Sequence, residues 1–394
     1  MELDDRLVAE ELDGFLAIGD ESDSNVFYLT QFESIDRSYA VLRASGETTL
    51  LAFSPLDAKA AADEADVDSV RELGEFDFQE KATEQGYEAA YAAVFREFLE
   101  DHGVGTLGIS GEFPHQMASR LEAAGYDLTT LSRPLDEDRR GKTEREVELL
   151  TTAQKAATEA LQAAEMLLRN ADIDADRTLV ADGRPLTAEQ VKRTLRVELA
   201  KRDCHHVTEP FVTCGTELCD LSNRGSGPLH ADAPIMIKFM PHHVSKYHAN
   251  LTRTFVVGDP PSELVELHEA TRRAQKAGLD VLSEGAGVRA GRIHEVICDV
   301  YEERGYKTSR DGPIDSGFVL PASAHHTGLD VHEPPMIDSR AGELAAGNVI
   351  AVEPGLKHPE LGGTYLEDVI HVTENGYENL TPYHRSLTLS RTSN

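Results

Sequence analysis

Hydrophobic positions along the chain switch between a period of two and a period near 3.6, and the switches mark out the elements. Residues 26–30 (Val-Phe-Tyr-Leu-Thr), 39–43 and 48–53 are apolar, β-leaning runs separated by polar turns, and predict strands. Residues 58–65 and 88–101 carry apolar positions at helical spacing, and 107–110 returns to strand. Residues 1–135 therefore read as one α/β domain, and the charged stretch 136–142 as a linker. Thr143-Glu-Arg-Glu146 has the form of a capping box and opens a helix with Val147, Leu150, Ala153 and Ala157 on one stripe. A second helix is predicted over 187–202, a strand over 209–214, a hairpin over 234–255, and amphipathic helices over 262–283 and 291–305.

The last quarter concentrates the chemistry. Residues 322–335 read Ala-Ser-Ala-His325-His326-Thr-Gly328-Leu-Asp-Val-His332-Glu333-Pro-Pro. Residues 350–356 are Ile-Ala-Val-Glu353-Pro-Gly-Leu, and 363–371 are Gly-Thr-Tyr365-Leu-Glu367-Asp368-Val-Ile-His. Each glutamate stands at or beside a β-branched run, so a sheet would hold both carboxylates rigidly. With two histidines they make a set of oxygen and nitrogen donors that divalent metals accept.

These segments resemble the pita-bread family of Xaa-Pro aminopeptidases, prolidases, methionine aminopeptidases and creatinase. The resemblance implies an α+β protein: a C-terminal pita-bread domain over 143–394, preceded by a smaller α/β creatinase-type domain, in a homodimer. It places His325, Glu353 and Glu367 at metal-ligand positions and His332 at that of a substrate-facing histidine. Tyr365 falls where peptidase relatives often carry arginine, which makes it a candidate substrate contact. Arg253, in the Thr-Arg-Thr after the hairpin, is a second candidate, and is also expected to pair with a carboxylate. The family's remaining two ligands are aspartates on that hairpin; Lys238 and Asn250 occupy their positions here. Ser222 stands where an upstream histidine is expected, ahead of Arg224-Gly-Ser-Gly-Pro-Leu229.

Charge counting narrows the chemistry. Four carboxylates would balance two dications, whereas Glu353 and Glu367 alone face an ammonium at Lys238, so a two-metal site is not expected. The cofactor is then one divalent ion (Mn, Co or Zn) or none, with the Asn250 amide as a weak fourth ligand. Three readings stay open. One is hydrolysis of a peptide or other C–N bond through one metal, with His332, His325 and Glu353 as the catalytic candidates. Another is a metal-free, creatinase-like route to a small amide or amidine, with His230, His242, His243, His248 or His332 handling the proton. The third is a peptide- or partner-binding protein without catalysis.

Composition changes the picture only at the margins. The 394 residues carry 70 acidic against 38 basic side chains, a formal charge of −32. Acid spread along the whole chain argues against nucleic-acid binding, and resembles proteins of salt-accumulating archaea. No apolar run approaches the roughly 20 residues of a membrane span. The acidic start lacks a secretory h-region, and the four cysteines show no metal-type spacing, which points to the cytoplasm.

Overall fold

The structure is a computed structural model that describes residues 1–35, 38–206, 208–312, 316–318 and 320–390. Two compact units follow one another, Met1–Arg139 and Arg140–Asn394. In the first, six strands lie in the order Ser69–Glu72, Glu47–Ala52, Tyr39–Ala44, Gly14–Gly19, Thr106–Ser110 and Asp127–Leu131. The two pairings at the centre are antiparallel and the outer three parallel. Both faces are covered, which is why these strands are apolar at consecutive positions. Leu16, Leu42 and Leu51 join Val94, Phe95 and Phe98 of the helix Tyr87–Asp101. Phe15, Val41 and Leu50 pack on the other side with Val26.

Two expectations are corrected here. Residues 26–30 belong to a helix, Ser24–Thr30, whose N-cap Asp23 accepts hydrogen bonds from the Asn25 and Val26 amides. The cap overrides the β propensity of the run. Within the stretch read as a linker, Asp136–Arg140 forms a short helix with three acids in its first turn, where they complement the helix dipole.

The second unit is built from helix pairs on antiparallel sheets. Thr143 caps the helix Glu144–Arg169 with both halves of the capping box in place. That helix and Ala188–Ala200 cover a three-stranded sheet, Phe211–Cys214, Ile235–Phe239 and Leu251–Phe255. The helices Ser262–Val281 and Gly291–Glu302 cover a five-stranded sheet that includes Ala324–His326, Val349–Val352 and Asp368–Thr373. A bridge between Thr252 and Glu367 links the two sheets.

Strand periodicity decides what faces where. Ile235, Ile237, Phe239, Leu251 and Phe255 pack toward the first helix pair. Met236, Lys238, Asn250 and Thr252 therefore lie on the opposite face. In the second sheet Ala324, Ile350, Val352, Ile370 and Val372 pack toward the helices, which sends His325, Glu353 and Glu367 the other way. Both sheets thus turn their polar positions to one cleft at their junction. Among the described residues no helix is long and apolar enough to cross a membrane.

Candidate metal centre

Lys238 pairs in register with Thr252, so the two side chains and that of Asn250 share one face of the hairpin. The Lys238 ammonium donates to Glu353 Oε2 at 2.7 Å and lies 3.4 Å from Glu367 Oε2. Burial alone would lower the lysine's pKa, but the two carboxylates outweigh it and hold the amine above its ordinary value, as a cation. Glu367 is fully buried, which alone would raise its pKa; the Lys238 ammonium beside it holds the carboxyl below the usual range. Thr252 Oγ1 also donates to Glu367 Oε2, at 2.5 Å.

The other oxygen of each glutamate turns toward His325. Its Nε2 lies 3.8 Å from Glu353 Oε1 and 3.9 Å from Glu367 Oε1. His325 Nδ1 is 2.9 Å from the carbonyl of His326, which can only accept, so Nδ1 carries the proton and Nε2 presents a lone pair in the neutral ring. Burial alone would lower the pKa of His325, but Glu367 and Glu353 outweigh it and raise it, so a proton on Nε2 competes for the place between these atoms. With the ring neutral, three acceptors face one another with no donor between them. His325 Nε2 and Glu367 Oε1 are buried without a hydrogen-bond partner. Donors from all three residues gather within 4.8 Å of one another, the spacing that ligands of one ion adopt. The residues present fit one divalent cation on this side of the glutamates, with the Lys238 ammonium on the other.

Asn250 is buried; its Nδ2 donates to Thr327 Oγ1 at 2.9 Å and its Oδ1 has no partner. His332 is exposed, its ring edge-on to His325 with centroids 4.4 Å apart. Tyr365 is 7% exposed against Met236 and Leu218, with an unpartnered hydroxyl. A Cβ on Gly355 would lie 2.0 Å from that ring, so the glycine after Pro354 lets the tyrosine in.

Arg253 is corrected as a substrate contact. It points to the helix side of its strand and is 1% exposed. All five of its N–H donors are taken, by Asp368 Oδ1 and by the carbonyls of Thr252, Glu367, Tyr383 and His384. Nothing remains for a substrate, and the expected carboxylate partner is Asp368. His242 and His243, weighed above as proton carriers, lie half-buried in the strand Pro241–His243 paired with Cys204–His206. His230 is exposed. Of the histidines considered as proton carriers, His332 is the one whose ring meets His325.

Two features escaped the sequence reading. Thr252 is legible in hindsight from its parity with Asn250. Lys142 and Glu333 form an ion pair at 2.6 Å, their side chains 1% and 5% exposed. A Cβ on Gly328 would come within 2.8 Å of Lys142 and 2.7 Å of Glu333, so the pair and the glycine fix the histidine loop together.

The sequence profile of metallopeptidase family M24 matches residues 148–374, and that of the creatinase/prolidase N-terminal domain matches residues 2–140. A Xaa-Pro dipeptidase of Pyrococcus furiosus is 34% identical over 143 residues, 36% of this chain and 38% of that protein. The match thus spans little more than a third of the relative's length. Solved structures resemble the chain over nearly its whole length. The prolidase from Pyrococcus horikoshii OT3 has a TM-score of 0.76 at 20% identity, covering 98% of each chain. A Xaa-Pro dipeptidase from Bacillus anthracis has a TM-score of 0.78 at 20% identity, covering 98% of this chain and 97% of its own. At such identities these likenesses establish the fold.

Proposed function

The chain belongs to metallopeptidase family M24, and from that membership we propose that it hydrolyses a Xaa-Pro-type peptide or a related small C–N bond with one metal ion instead of two. The observation that carries this reading is the division of each glutamate: Oε2 toward the Lys238 ammonium, Oε1 toward the lone pair of His325. His325, Glu353 and Glu367 would hold a manganese, cobalt or zinc ion, with the Asn250 amide oxygen as a neutral fourth ligand. Such an ion polarises a carbonyl and acidifies bound water. Lys238 supplies a fixed positive charge where a second ion would otherwise balance the glutamates. His332, at the edge of the site, carries protons to and from the leaving amine. Tyr365 forms an apolar wall with Met236.

A second reading rests on the same ammonium. Because Lys238 already balances Glu353 and Glu367, the cleft is complete enough to bind a peptide with no ion and no catalysis. Metal content after dialysis against Mn²⁺, Co²⁺ or Zn²⁺, followed by a screen of Xaa-Pro dipeptides and creatine-like amidines, separates the two. One equivalent of metal with metal-dependent hydrolysis is expected. Two equivalents would overturn the role given to Lys238; no metal and no turnover would leave the binding protein.

A further inference from the structure

The apolar wall of the cleft ends in a cation. Phe211 pairs in register with Lys238, which puts its side chain on the cleft face, and it packs there against Met236, Tyr365 and Leu218. The guanidinium of Arg224 lies over the Phe211 ring, 4.7 Å from its centroid. Two contacts fix that position. The Arg224 carbonyl accepts from the Val212 amide at 3.0 Å, and Arg224 Nη1 donates to the carbonyl of Glu209 at 2.6 Å. The residue is half-buried.

Arg224 stands apart in its charge balance. The chain has 70 acidic against 38 basic side chains, yet among the described residues no carboxylate pairs with this arginine. Glu209, whose main-chain carbonyl it touches, gives its carboxylate to Lys192 and Arg196, at 3.3 and 3.2 Å. The remaining N–H groups of the guanidinium are uncommitted. Lys238, the cation deeper in the cleft, is already engaged by Glu353 and Glu367. A guanidinium that is stacked, half-buried and without a counter-ion suits a carboxylate, because its planar fork is oriented in advance and the ring keeps water from one face. The carboxylate must come from a ligand whose apolar part rests along Met236, Tyr365 and Phe211.

We propose that Arg224 binds a carboxylate of the peptide in the cleft and so selects peptides that carry one over neutral ones. Two sources present the same chemistry, the peptide's own C-terminus and an acidic side chain. The inference rests on the cleft being a peptide site, as proposed above, but not on any bond being cut. The test is calorimetric titration of the full chain with Ala-Pro, Ala-Pro amide and Ala-Pro-Glu amide. It is run in chelator and again with Mn²⁺, where chromatography records any cleavage. Ala-Pro or Ala-Pro-Glu amide should bind about tenfold tighter than Ala-Pro amide, and the tighter of the two identifies the source. Arg224→Met keeps an aliphatic chain on the ring and should lose the preference, with a melting curve close to wild type. Arg224→Lys keeps the charge without the planar fork and should retain part of it. A preference for the carboxylate without cleavage supports the role of Arg224 and counts against the hydrolase alone. Equal binding of all three peptides, saturable binding of none, or an unchanged preference in Arg224→Met would overturn the proposal.

Discussion

Replacing Lys238 by methionine keeps most of the side chain's volume and deletes its charge. At an effective dielectric near 20, contacts of 2.7 and 3.4 Å correspond to gross attractions of about 6 and about 5 kcal/mol. Most of that offsets the cost of taking three ions out of water, so the useful figure is the penalty for orphaning the carboxylates, about 3–5 kcal/mol. Lys238 and Glu353 keep 23% and 14% of their side-chain surface, which places the expected loss near the lower end, about 3 kcal/mol. Urea unfolding in chelator at pH 7.5 reads it directly. The deficit should shrink as pH falls toward 4. Wild-type Glu367 has a depressed pKa, so its contribution is present above the unfolded carboxyl value and fades as pH drops through the folded one. In Lys238→Met the orphaned carboxyls take up protons sooner and lose less. Added Mn²⁺ at a hundred times its Kd should return about 2.7 kcal/mol. A variant as stable as wild type in chelator would refute the idea that this ammonium balances the glutamates.

Three further outcomes are expected. Lys238→Asp combined with Asn250→Asp should raise metal uptake from one equivalent to two, measured by elemental analysis; unchanged stoichiometry would mean these positions do not face the ions. Lys142→Met removes the buried ammonium that pairs with Glu333 and should cost about 3 kcal/mol in urea unfolding, whereas Lys142→Met with Glu333→Leu should recover part of it. His206 is held neutral by burial, its pKa pushed down to about 4, so the unfolded chain gains a proton that the folded one refuses. Stability should therefore fall as pH drops from about 6.5 toward 4, and His206→Phe should flatten that slope.

The cleft was legible because its motifs resemble those of the pita-bread family: the resemblance put Lys238 and Asn250 at ligand positions on the hairpin, and the β-branched runs put Glu353 and Glu367 at strand edges. Strand parity, applied to the same hairpin, would have turned Arg253 away from the cleft. The helix at 24–30 was missed because a single capping carboxylate outranked a run of β-formers. The Lys142–Glu333 pair is 191 positions apart in sequence, and no periodicity reports a contact of that span. How each glutamate divides its oxygens is likewise a matter of tenths of an ångström, beyond any reading of residue types.

The amine of Lys238 is attached to the backbone, and that makes it a counter-ion no chelator can remove and no competing metal can replace. A cleft of bare acids would swell or soften whenever the surroundings ran short of dications. This one keeps its walls drawn together through such shortages, because one of its charges is covalently its own.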